Sequence, residues 1–191
     1  MSTNERLLLE LPPGQTGFGA LTIAQLEELT RYLWDDLGAI TPAELQWQPS
    51  RGHNTIGMLL AHLAVVEVFW TQVGVIGLPE PDTDSVLGMG IDDDGLPLPA
   101  DAEPPAGLAD RDLAWYRDKL EAARRYAAVH LLPLTDAELG SIRIQKRRTG
   151  GTREFNLRWV LFHLLEHFAG HYGQILLIRH RYRDVAGDAA R

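Results

Sequence analysis

Apolar residues recur at helical spacing in four long stretches of this chain, each bounded by residues that start or stop helices. The first stretch opens at Thr22, where Thr22-Ile23-Ala24-Gln25 has the spacing of a capping box, and closes near Gly38. Leu21, Leu26, Leu29, Leu33 and Trp34 give it one apolar face. A second capping signal, Thr41-Pro42-Ala43-Glu44, is followed too soon by Pro49 and Gly52 for more than a short helical turn. From about Asn54 to Val73 the chain is apolar nearly all round, which predicts a central helix, and Gly74 stands where a C-terminal cap belongs. A third long helix is predicted from about Arg111 to Leu131, with Leu113, Tyr116, Leu120, Ala123, Tyr126 and Ala127 facing inward; it must stop before Pro133. Thr135 to Glu138 caps another short turn, and Asn156 is a good N-cap for a last helix reaching about Arg181.

Two segments interrupt this pattern. Residues 77–109 are rich in Pro, Gly and Asp and lack sustained periodicity, which predicts a long surface loop. Within it Asp92, Asp94, Gly95 and Asp101 fall at four positions of a calcium-loop pattern, but Gly90 stands where the first carboxylate belongs. Residues 141–154 alternate briefly at Ile142 and Ile144 around Thr149-Gly150-Gly151-Thr152, which predicts a small β-hairpin. Four long helices with little strand predict one all-α domain over residues 1–191, built as a four-helix bundle with the loop and hairpin as additions.

Composition narrows the chemistry. The chain has no cysteine, so disulfides, thiolate metal sites and a cysteine nucleophile are excluded, and any thiol must come from outside. A net charge of −8 argues against nucleic acid as a partner. That charge is local, because no Lys or Arg occurs between Gly52 and Asp110 while carboxylates crowd the loop. The N-terminal residues lack a leader pattern and no apolar run reads as a bilayer span, so the expectation is a soluble, cytoplasmic protein without membrane contact. The hairpin carries Arg143, Lys146, Arg147, Arg148 and Arg153; a solvated charged hairpin is the plain reading, and a docking patch for an anionic cofactor through Arg143, Arg147 and Arg153 is the sharper one.

His163, His167 and His171 recur every four residues on the last helix, so adjacent members share a face. Two imidazoles at i and i+4 can close on one ion, and the third ligand has to come from another element. His62, mid-way along the apolar second helix, is the candidate, because bundle cores are where facing helices assemble metal sites. The same helix can be read differently: His163-Leu164-Leu165-Glu166-His167 matches H-x-x-E-H, with Glu166 as general base of a zinc hydrolase.

The stretch Thr55 to Ala64, followed by Glu67 and Trp70, resembles the second-helix signature of DinB/YfiT-like proteins, and Leu161 to Ile175 resembles their fourth-helix motif, E-H-x-x-x-H-x-G-Q. The resemblance implies an up-down-down-up bundle and a three-His metal site, carried onto His62, His167 and His171, with His163, Glu166 and Glu67 beside it. It also implies a homodimer, and it links the chain to transferases that use external thiols such as bacillithiol or mycothiol. The resulting expectation is a thiol-dependent S-transferase in which one divalent ion, zinc or nickel first, activates a small-molecule thiol for attack on an electrophile. Metal-dependent hydrolysis of a small substrate and a non-catalytic metal-binding stress protein are the alternatives.

Overall fold

A computed structural model describes residues 8–147 and 150–189. It is mainly helical, with a single two-stranded antiparallel sheet among the described residues. Helix α1 spans Gly17–Leu37. The expected start at Thr22 is corrected, because Thr22 lies inside the helix and its hydroxyl donates to the Phe18 carbonyl one turn back, at 2.9 Å. Gly19, inside the helix, permits close packing, since a Cβ there would sit 1.9 Å from the Leu131 carbonyl oxygen. The C-terminal stop at Gly38 is as expected, at φ +46°.

The short helix α2, Pro42–Gln46, is capped by Thr41, whose hydroxyl accepts from the Glu44 N–H at 3.2 Å. Helix α3, Ile56–Trp70, is capped by Thr55 in the same way, accepting from Met58 N–H at 3.1 Å. Gly74 does not end it. The chain continues as a π-helical segment over Thr71–Ile76 and turns at Gly77, φ +85°. Gly74 serves contact instead, because a Cβ there would lie 2.8 Å from Val160 Cγ2. The combined stretch Ile56–Ile76 is, contrary to the expectation, long and apolar enough to cross a bilayer, with mean hydropathy 1.7 over its most apolar 18 residues, but 78% of those are buried within the protein. Its apolar surface meets the chain's own core.

The acidic segment is more structured than expected of a surface loop. It contains a short helix, α4 (Asp84–Leu87), and a 3₁₀ turn at Ala106–Leu108, and it buries Leu87, Met89, Asp94 and Leu108. Helix α5, Leu113–Leu131, starts at the cap Asp112, whose carboxylate accepts from Trp115 N–H at 2.9 Å. Thr135 and Glu138 form the expected capping contacts, at 2.8 and 2.7 Å. The hairpin pairs β1 (Ile142–Lys146) with β2 (Thr152–Asn156), Ile142 opposite Asn156 and Lys146 opposite Thr152. Ile142 and Ile144 point to solvent, while Phe155 enters the core. Arg148 and Thr149 of the expected turn lie outside the described residues. Asn156 then caps α6, accepting from Trp159 N–H at 2.9 Å, and α6 runs to Ala189, past the expected end.

Helix α3 packs along α5 and α6, and α1 packs on α6 and α5. One continuous core joins Ile23, Leu33, Leu60, Val68, Tyr116, Leu120, Leu164 and Phe168. Two buried ion pairs tie the elements: Glu67 of α3 accepts from Arg124 of α5 at 2.6 and 3.0 Å, and Glu44 of α2 accepts from Arg179 of α6 at 2.9 Å.

Candidate metal centre

Helix α3 offers His62 to α6, and α6 offers His167 and His171 one turn apart. The three rings meet with centroid separations of 4.9 Å (His62–His167), 4.9 Å (His62–His171) and 4.4 Å (His167–His171). Their Nε2 atoms point at one another: His167 Nε2 is 3.1 Å from that of His62 and 3.1 Å from that of His171. One potential ligand atom from each residue lies within 4.8 Å of the others.

The outer nitrogens decide what the inner ones carry. His62 Nδ1 is 2.8 Å from the Asp94 carboxylate and His171 Nδ1 is 2.9 Å from the Gln174 carboxamide oxygen, so both outer nitrogens face acceptors. A neutral ring with its proton on Nδ1 keeps a lone pair on Nε2. His167 can donate to at most one of two such lone pairs. Three inward nitrogens with fewer protons than contacts are a poor hydrogen-bonded cluster and a fitting donor set for a cation, with carboxylate and amide partners behind the rings. Burial first, then the neighbouring His171, His62 and His163, hold the His167 imidazole down to about 3. Burial likewise lowers His171, against the Gln174 hydrogen bond and the nearby Asp94. Both rings are therefore neutral, and able to ligate, at neutral pH.

The structure separates the other expected residues. His163 stands outside the cluster. Its ring lies face to face on Trp159, at 4.6 Å and 10°, edge-on to Trp70 at 5.1 Å, and 5.4 Å from the His167 ring. Its Nδ1 is 2.9 Å from Glu166, which is exposed. Glu67, expected beside the site, is instead held by Arg124 in the core. The three arginines occupy different places. Arg143 donates to the Val75 carbonyl at the end of the π-helical segment, at 3.4 Å; Arg153 lies over the Trp70 ring at 5.5 Å; Arg147 is exposed in the hairpin turn. Of these, Arg153 lines a cavity of about 530 Å³ with Ile142, Phe155, Asn156 and Trp159.

Two features had escaped the sequence reading. Asp94 figures in the sequence only as one position of an incomplete calcium-loop pattern, and nothing there joins it to His62. The aromatic wall of Trp70, Phe155 and Trp159 beside His163 joins residues of α3, β2 and α6 that only the fold brings together.

The sequence model of a family described as Mycothiol-S-transferase matches residues 23–184, which include His62, His167 and His171. The chain belongs to the mycothiol-S-transferase family. Its membership accords with the DinB-like motifs of α3 and α6. A solved structure described as a conserved protein of a locus from Enterococcus faecalis is similar in fold, with TM-score 0.60 at 17% identity, covering 84% of this chain and 94% of that one. None of the curated proteins matches the chain significantly.

Proposed function

We propose that His62, His167 and His171 hold one divalent cation, zinc or nickel, and that the chain is a thiol-dependent S-transferase using mycothiol or bacillithiol. The observation that carries this reading is the convergence of three Nε2 atoms with acceptors behind two of the rings. Family membership supplies the thiol, and the chain, having no cysteine, must take it from outside. The reading includes a four-helix bundle of α1, α3, α5 and α6 with an up-down-down-up course, which their mutual packing supports.

Three neutral His ligands leave room for a fourth. A cation there supplies Lewis acidity, which favours the thiolate of an external thiol. Around it the chain's own groups orient: Asp94 and Gln174 face the outer nitrogens of two rings. Arg153, which lines the cavity at the hairpin, is the candidate to meet an anionic group of the thiol or the electrophile.

The test combines metal content with turnover. Wild-type protein is expected to carry close to one zinc or nickel per chain, and His62→Ala, His167→Ala and His171→Ala to lose it. Mycothiol, bacillithiol and glutathione are then compared with chlorodinitrobenzene as electrophile, in loaded and stripped protein. Full metal occupancy in His167→Ala or His171→Ala sinks the ligand assignment. Metal binding without thiol-dependent turnover of any electrophile gives the site to small-substrate hydrolysis or to a non-catalytic role.

A further inference from the structure

The acidic loop is built around one inward carboxylate. Asp92 and Asp93 are exposed, whereas Asp94 is 1% exposed. Its Oδ2 lies 2.8 Å from His62 Nδ1, and its Oδ1 accepts from the Leu96 backbone N–H at 2.9 Å. The surrounding chain is tied down on both sides. Gln72 bonds both the carbonyl and the N–H of Asp82, at 2.8 and 2.7 Å; the Thr83 hydroxyl donates to the Met89 carbonyl at 2.9 Å; and Lys119 of α5 donates to the Leu87 carbonyl. Gly95, at φ +75°, is packed so closely that a Cβ would stand 2.4 Å from Pro105 Cγ. A carboxylate this deeply buried is tolerated only when its acceptor capacity is used, and here N–H groups use it.

An ionised carboxylate only accepts hydrogen bonds, so Asp94 requires the His62 proton to sit on Nδ1 and leaves the lone pair on Nε2, facing His167. An acid-to-amide exchange at Asp94 does not preserve this. An asparagine has one acceptor and one donor end; with Leu96 N–H holding the oxygen, its NH₂ would face His62 and draw the ring into the opposite tautomer. We propose that Asp94 is a positioning residue of the metal centre, and that the acidic loop is a strap whose order is linked to the ion. The inference rests on the metal reading above and extends the centre from the helices to the insertion between them.

The test uses the full chain and zinc. In metal-stripped wild type, long-range proton–nitrogen NMR of His62 is expected to find the proton on Nδ1, and in Asp94→Asn to find it moved to Nε2. Zinc affinity, measured by competition with a chromophoric chelator, is expected to fall about 10- to 100-fold in Asp94→Asn and Asp94→Ala. Asp93→Asn, which changes an exposed loop carboxylate that accepts from Gly90 N–H, is expected to keep wild-type affinity. Hydrogen exchange across residues 84–108 should slow when zinc binds to wild type and not when it binds to Asp94→Ala. A wild-type His62 protonated on Nε2, or Asp94 variants that bind zinc as tightly as wild type, would overturn the proposal. Zinc binding that survives His62→Ala would instead retire the ligand assignment, with the tautomer measurement still deciding what Asp94 does to His62.

Discussion

Replacing Glu67 by glutamine distinguishes a core ion pair from a residue of the site, because the two roles move different observables. Glu67 is 3% exposed and receives both Nε and Nη2 of Arg124, at 2.6 and 3.0 Å. Glutamine keeps the shape and removes the charge, so the guanidinium is left buried beside a carboxamide. Thr30 offers Arg124 only a longer contact at 3.3 Å, and Arg124 Nη1 has no acceptor among the described residues. Removing one partner of a buried pair costs about 3–5 kcal/mol. For a chain of this size that corresponds to a midpoint lower by roughly 6–20 °C. The double variant Glu67→Leu, Arg124→Met removes both charges and is expected to recover much of the loss. Zinc stoichiometry should be unchanged throughout, since the pair bridges α3 and α5 while the histidines bridge α3 and α6. The assay is calorimetric unfolding of metal-stripped protein, with metal content measured in parallel. A midpoint within 2 °C of wild type, or lost zinc at an unchanged midpoint, would refute the reasoning and return Glu67 to the site.

Other outcomes follow from the same contacts. His163→Ala should retain full zinc, because His163 packs on Trp159 and pairs with Glu166 outside the triad; stoichiometric loss on elemental analysis would favour the H-x-x-E-H reading. In metal-stripped protein the folded His167 value of about 3 lies below the unfolded value near 6.5, so the unfolded chain takes up the proton first as pH falls. Stability from this group is thus complete above about pH 6.5 and is lost progressively toward pH 3, and urea titrations from pH 7 to 4 should show that slope diminished in His167→Leu; an equal slope in the variant contradicts the assignment. Gly19→Ala should destabilise by about 1–3 kcal/mol, because α1 cannot approach the Leu131 carbonyl with a methyl in between; an unchanged unfolding midpoint would show that the helices separate freely.

Much of the helix plan was legible because caps and periodicity are local. Thr41 and Asn156 accept from N–H groups three residues on, and Glu138 accepts from that of Thr135, so these patterns survive in the sequence. The failures occur where a glycine answers to a distant element. Gly74 reads as a helix end and Gly19 lies ahead of the expected start at Thr22, yet each sits inside a helical run, at a contact with Val160 and with Leu131 respectively. The histidines were readable because two share a helix face and the third interrupts an apolar one. Asp94 was not, since its partner His62 lies 32 residues away and nothing in an aspartate triplet marks which member turns inward. Glu67 and Arg124, 57 residues apart, hid each other in the same way.

The spacing of the three histidines also sets a timetable. His62 and His167 are 105 residues apart, so on a ribosome adding about 5–20 residues per second His167 follows His62 by roughly 5–20 s. During that interval the growing chain has one of the three imidazoles and, later, the loop carboxylate that orients it. His167 and His171 then arrive together, within one turn of the same helix. On the metal reading, acquisition waits for the end of synthesis, when both arrive on a helix that must still dock, and a truncated chain lacking α6 presents only His62 of the three converging imidazoles with which to compete for the cell's pool of ions.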